Sequence, residues 1–347
     1  MKNNPFSLDF GAQPNLFIPR YTEQSKIVET FCAEHPSSHM FLITGARGTG
    51  KTVLMTSISH EIRDKRGWIY IDLNPETDML NSMASQIYQS SKKRYPKLKF
   101  EISIKGIGVS FERDIKYSDI QTDLDSMIKT LDKHNVKLLV TVDEANNSNS
   151  VRVFANYYQH CLREKMPLFV VMTGLYKNIR ALQNNRSQTF LKRAPHIDLT
   201  PLNLKRIGQK YMEVFKLNAD DANEMAKLTG GYSYAFQILG YLVYESGKTK
   251  PDNTTIEEYR LNLEECSYDK IWEELSASER RVTAAIAQAK DNATVKEVRE
   301  ALNMDSNNFS SYQNVLIKSG LLSPVSAYGH INFCLPYFKG YVLQQSI

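Results

Sequence analysis

The chain lacks any uninterrupted apolar run of the roughly 18 to 20 residues that a helix needs to cross a bilayer. Its opening residues, MKNNPFSLDF, carry no apolar block of the kind that directs secretion. A cytoplasmic protein with no membrane partner is the expectation. Paired cysteines are also missing: Cys32, Cys161, Cys266 and Cys334 show no CxxC or CxxH spacing, which argues against a zinc site or a disulfide framework. Burial as small apolar side chains in a reducing compartment accounts for them. A large excess of one charge sign is missing as well. With 43 basic against 38 acidic residues the net charge is +5, and a nucleic-acid footprint would need those cations to cluster. Neither an internal repeat nor a low-complexity tract is present.

What the chain does have is length and an ordinary globular composition. Its 347 residues, 42% hydrophobic and 23% charged, exceed what one core usually organises, so two or three compact units are expected. After an irregular lead-in containing Pro5, Pro14 and Pro19, Thr22 opens a helix with Ile27, Val28 and Phe31 on neighbouring turns. Apolar strands and helices then alternate. The strands are HMFLIT (39–44), WIYIDL (68–73), KLLVTV (137–142), LFVVMT (168–173) and HIDL (196–199), with helices from Thr52, near 79–93 and near 150–164. That rhythm predicts an α/β fold whose parallel sheet is covered on both faces, because strands this uniformly apolar are buried on both sides.

One segment breaks the rhythm. Residues 100–111, FEISIKGIGVSF, alternate apolar and polar around two glycines and read as an inserted β-hairpin near 100–112, followed by a capping box from Ser118 and Gln121. The hairpin reads either as a lid over the core or as a functional contact. Beyond Leu202 the pattern is helical to about 268, with Leu204–Phe215, Asp220–Leu228 and Tyr232–Glu245, and with GKTKPDNTT (247–255) as a loop. A last unit reads as helices Ser278–Ala289, Val295–Leu302 and Asn307–Ser319, then a hairpin turning at Tyr328-Gly329. The expected division is a 1–201 core, a 202–268 helical lid and a 269–347 winged-helix-like tail.

The chemistry is carried by Gly45-Ala46-Arg47-Gly48-Thr49-Gly50-Lys51-Thr52, which satisfies G-x-x-x-x-G-K-[ST] between an apolar strand and an apolar helix. Glycines let backbone N–H groups turn towards phosphates, the helix N-terminus adds its positive end, and Lys51 reaches the β- and γ-phosphates of ATP. Thr52 offers a hydroxyl to magnesium. A second strand, 138–142, ends in Asp143-Glu144, where Asp143 would hold the hydrated Mg2+ and Glu144 would act as general base towards water. Glu144 could equally be a carboxylate favoured by a helix dipole. Thr173 ends a third strand and could sit between the γ-phosphate and the water, or be a plain buried threonine. Arg193, just before the last strand, reads either as a surface arginine or as a guanidinium that stabilises charge on a neighbouring subunit's ATP.

In this order the motifs resemble the AAA+ ATPases, in particular the branch of origin-recognition and replication-initiator ATPases and their STAND relatives. They are also similar to a bacterial group of ATP-binding proteins that carries Gly-Tyr-Pro-Tyr-x-x-Gln in the lid. Here that stretch is Gly231-Tyr232-Ser233-Tyr234-Ala235-Phe236-Gln237, with Ser233 where the proline is usual and without a lid arginine. The resemblance implies a P-loop NTPase with a helical lid and a winged-helix tail, ATP-dependent homo-oligomers, and a tail that binds duplex DNA or, alternatively, a protein; the two departures imply hydrolysis that is slow or used as a switch. It also implies that Arg20 and Glu23 border the adenine pocket; a helix-start ion pair is the other reading. The tail offers seven basic and seven acidic residues over 271–347, and its candidate recognition helix from Asn307 to Asn314 is followed by only one cation, Lys318.

Overall fold

A computed structural model of the chain describes residues 3–9, 11, 13–100, 119–324 and 329–345. The expected hairpin at 100–112, the capping Ser118 and the turn residue Tyr328 therefore lie, wholly or in part, outside the described residues. The chain divides into two compact units: a core unit, Arg20–Thr44 with Thr52–Ile197, and a helical unit, Met1–Pro19 with Gly45–Lys51 and Asp198–Ile347.

The core unit follows the alternation read from the sequence. Its elements are α1 (Tyr21–Cys32), β1 (Met40–Thr44), α2 (Lys51–Asp64), β2 (Trp68–Leu73), α3 (Met79–Arg94), α4 (Ile120–Lys133), β3 (Lys137–Val142), α5 (Asn149–Arg163), β4 (Leu168–Gly174), α6 (Tyr176–Asn184), a 3-10 turn Arg186–Arg193 and β5 (His196–Asp198). The strands form one sheet in the order β2-β3-β4-β1-β5, with β1, β2, β3 and β4 paired in parallel. Every residue of β1 and β4 is buried, the signature of a sheet covered on both faces. A cluster of wholly buried side chains that includes Val140, Val170, Met83, Leu124 and Phe154 joins sheet and helices. Each such side chain contributes about 1.5–3 kcal/mol of burial. Register then decides what the strand ends present: Val142 lies opposite Met172 and Ile43 opposite Thr173.

The helical unit consists of α7 (Leu204–Phe215), α8 (Ala219–Lys227), α9 (Ser233–Glu245), α10 (Asn253–Leu263), a π-helical turn Glu264–Tyr268, α11 (Asp269–Glu274), α12 (Ala277–Gln288), α13 (Val295–Ala301), α14 (Ser306–Lys318) and α15 (Phe338–Gln345). Short polar residues start most of them. Asn203, Asn218, Asp252 and Asp305 each accept a backbone N–H of the first turn, and Ser276 with Glu279 and Thr294 with Glu297 form reciprocal capping boxes, each cap worth about 1 kcal/mol. The Asp252 cap starts α10 at Asn253, so the loop expected over 247–255 is shorter than its composition suggested. A single apolar cluster runs through this unit from Phe6 to Val342. Phe6 itself stacks on Phe215 and meets Phe236 edge-on, which ties the N-terminal segment to α7 and α9. Between α14 and α15 the backbone pairs antiparallel, Leu322 with Phe333, and His330 pairs with Thr294.

Candidate functional site

In the core unit the two carboxylates stand where β3 ends. Asp143 Oδ2 accepts the Thr52 hydroxyl at 2.7 Å, and Oδ1 accepts the hydroxyl of Thr173 and, at 3.0 Å, the Glu144 N–H. The Glu144 N–H also reaches Thr173 Oγ1, at 3.3 Å. Strand register explains the meeting: Val142 faces Met172, so the next residue on each strand, Asp143 and Thr173, falls side by side. Thr173 is fully buried, whereas Glu144 is exposed. Glu144 has φ of 51°, a left-handed conformation that costs a non-glycine residue about 1–2 kcal/mol and that its two N–H acceptors hold in place. Behind this cluster, Thr141 donates to Asp72 Oδ1 and lies 3.2 Å from the Tyr70 hydroxyl.

Thr52 and Asp143 thus bring a hydroxyl and a carboxylate oxygen within hydrogen-bonding distance, two hard oxygen donors of the kind Mg2+ prefers. Among the described residues no group of three or more His, Cys, Asp or Glu side chains is gathered to hold a metal.

In the helical unit the loop Gly45–Lys51 is clasped by residues far away in sequence. Gly48 and Gly50 adopt φ of 73° and 89°, conformations that favour glycine. The Lys51 ammonium lies 3.2 Å from the Gly45 carbonyl and 3.0 Å from that of Ala46. The Ala46 carbonyl also accepts the Thr49 hydroxyl at 2.8 Å. The next three carbonyls accept from the start of α9: Arg47 from the Tyr232 hydroxyl (2.7 Å), Gly48 from the Tyr234 N–H (3.1 Å) and Thr49 from the Ser233 hydroxyl (3.0 Å). The Arg47 guanidinium pairs with Glu274 at 2.9 Å. The carbonyls from Gly45 to Thr49 are thus all engaged, and a glycine-rich turn at the start of a helix is the backbone arrangement that can receive an anion.

The remaining candidates are more scattered. Arg193 closes the 3-10 turn ahead of β5 and is exposed. Arg20 precedes α1; burial lowers its pKa and the nearby Glu23 charge works against that. Lys318, at the end of α14, pairs with Asp198 at 2.6 Å. Sequence reasoning missed the hydroxyls of Tyr232 and Ser233 as partners of the loop, and it missed Glu274. The GYSYAFQ stretch was noticed only through a resemblance, and the one local signal, hydroxyl residues opening a helix, is shared by many caps.

Comparisons with known proteins agree with this architecture. A model described as "Schlafen group 3, DNA/RNA helicase domain" matches residues 38–205, and one described as "Domain of unknown function (DUF8462)" matches residues 266–342. No curated protein matches. Among solved structures, a Walker-type ATPase of Pyrococcus abyssi is 14% identical with a TM-score of 0.65, the match covering 94% of this chain and 96% of that one. The chain has the P-loop ATPase fold. The ORC2 protein of Aeropyrum pernix is also similar: its ADPNP-ADP complexes give 13% identity and a TM-score of 0.59 over 97% of both chains, and its ADP form 12% and 0.52 over the same shares.

Proposed function

We propose that this chain is an ATP-binding AAA+/STAND-like switch that hydrolyses ATP slowly with Mg2+. The observation that carries the reading is the meeting of Thr52, Asp143 and Thr173 at 2.7 Å and closer, the first of them following in sequence a glycine loop whose Gly45 to Thr49 carbonyls accept hydrogen bonds. Gly45 to Thr52 receive the phosphates through backbone N–H groups, and Lys51 exchanges the Gly45 and Ala46 carbonyls for phosphate oxygens. Thr52 and Asp143 would hold a magnesium ion, which when bound offsets negative charge on the phosphates. Glu144, exposed beyond the strand, takes a proton from a water whose oxygen attacks the γ-phosphorus. The bond to the bridging oxygen breaks and ADP leaves. The buried Thr173 hydroxyl keeps Asp143 and the Glu144 backbone aligned.

Arg193 acts in trans in an ATP-dependent homo-oligomer; its exposure at the end of a short turn supports this role. Residues 1–201, 202–268 and 269–347 act as ATPase core, lid and winged-helix tail. The tail assignment is supported by α12, α13 and α14 followed by antiparallel bridges at Leu322–Phe333 and Thr294–His330. The switch acts on duplex DNA, a reading supported by the likeness of residues 38–205 to a family described as a DNA/RNA helicase domain. A second reading, in which the tail binds protein, is favoured by Lys318: the cation of the candidate recognition helix is engaged by Asp198. ATP titration with and without EDTA, followed by anisotropy of a labelled duplex at two salt concentrations with full-length and 1–268 protein, tests both. Loss of ATP binding in EDTA and salt-sensitive, tail-dependent duplex binding are expected. Full ATP affinity in Asp143→Ala with magnesium-independent turnover would overturn the switch. An absence of duplex binding at low salt with ATP would move the target to protein.

A further inference from the structure

Five successive carbonyls of the phosphate loop, Gly45 to Thr49, accept hydrogen bonds, and three of the donors are consecutive residues of the helical unit, Tyr232, Ser233 and Tyr234. The other two carbonyls are served by the Lys51 ammonium, a group with a different task once an anion is present, and that of Ala46 also by Thr49. A loop that loses that cation from Gly45 and Ala46 keeps its outward face through the α9 turn. The approach is close: a Cβ placed on Gly48 would lie 2.4 Å from the Tyr232 hydroxyl and 2.9 Å from the Tyr234 Cβ. The Tyr232 hydroxyl is fixed from behind by Ser267 Oγ at 2.7 Å, inside the π-helical turn, and Tyr232 is buried. Such a turn interrupts a helix at a cost that is kept mainly where a function needs it.

We infer that Tyr232 and Ser233, with the Tyr234 amide, are positioning residues for phosphate binding: they hold the loop carbonyls outward so that its N–H groups face the anion. This inference rests on the nucleotide-binding reading above and deepens it. The contribution is made by lid hydroxyls on the loop backbone, in a chain that carries Ser233 where the resembling group has proline, a residue with no hydroxyl to give Thr49. Removing either hydroxyl takes a donor from a loop carbonyl and lets the loop sample conformations in which the amides are misdirected.

The test uses full-length protein and two ligands, ADP and inorganic pyrophosphate, which needs the phosphate loop and nothing that reads the base. Tyr232→Phe and Ser233→Ala should each raise both dissociation constants about tenfold, or about 1.4 kcal/mol. The factor should be the same for ADP and pyrophosphate, and Ser233→Thr should restore most of the affinity. Cooperative thermal unfolding of each variant establishes that it is folded. Weakened ADP binding with unchanged pyrophosphate binding would overturn the inference, since the loss would then lie elsewhere on the nucleotide. Unchanged affinity for both ligands in variants of a protein whose Lys51→Ala form binds both far more weakly would also overturn it while leaving the nucleotide site standing. Wild-type protein that binds neither ligand would remove the nucleotide reading and the inference together.

Discussion

In the core unit, Asp143 and Thr173 are neighbours because each is the residue after a paired position on adjacent parallel strands. In the helical unit, Gly45–Lys51 takes its shape from donors about 185 residues away, such as Tyr232 on Arg47 and Ser233 on Thr49. The first arrangement stands on a sheet whose β1 and β4 are buried along their whole length. The second depends on single hydroxyls, each contributing about 0.5–1.5 kcal/mol. Strand register fixes the first set of partners, while the second rests on hydrogen bonds from side chains distant in sequence.

Substitutions sharpen this contrast. The largest effect is expected at Glu144: Glu144→Gln should lower turnover about a thousandfold while leaving ATP affinity unchanged, since the amide cannot take the proton from water. Single-turnover hydrolysis beside a titration with a fluorescent ATP analogue measures both, and normal turnover would break the assignment of the strand end. Lys51→Ala should weaken ATP binding about a hundredfold, the scale of a lost charge-assisted bond, and unchanged affinity would break the loop half of the comparison. For Arg193, specific activity should rise with protein concentration. Mixing Arg193→Ala with Glu144→Gln protein should recover about a quarter of wild-type turnover if mixed interfaces form at random; strict concentration independence without recovery would end the trans role.

The smallest expected effect lies far from the nucleotide motifs. The Glu297 carboxyl is held down to about 2, first by its bond with Lys290 and then by the Thr294 backbone and side chain that complete the α13 capping box. Its folded value is below the ordinary one, so its contribution to stability is fully present above about pH 5 and fades as pH falls towards 2. Glu297→Gln should flatten the acid limb of the thermal-unfolding profile slightly and leave the midpoint near neutrality within a few degrees. An unchanged acid limb would remove the cap from the account of tail stability.

The sequence alone determined the parallel α/β core, the phosphate loop and the Asp143-Glu144 strand end, because these depend on local signals: apolar runs of strand length, glycines at fixed spacing, and a Lys-Thr pair opening a helix. It marked Thr173 as a strand-end hydroxyl or a plain buried threonine, but not its bond to Asp143, which the register of β3 against β4 decides. The α6 and α15 helices and the 3-10 turn before β5 were not read, being short or weakly patterned, and Asp252 started α10 inside a stretch whose Gly, Pro and Thr content read as loop. Only the tertiary structure decided that Tyr232 and Ser233 serve the loop carbonyls, that Arg47 meets Glu274 and that Lys318 meets Asp198. Periodicity reports which face of an element is apolar over a few turns; it carries no information about which polar group, two hundred residues away, will satisfy a particular backbone carbonyl once the chain has folded.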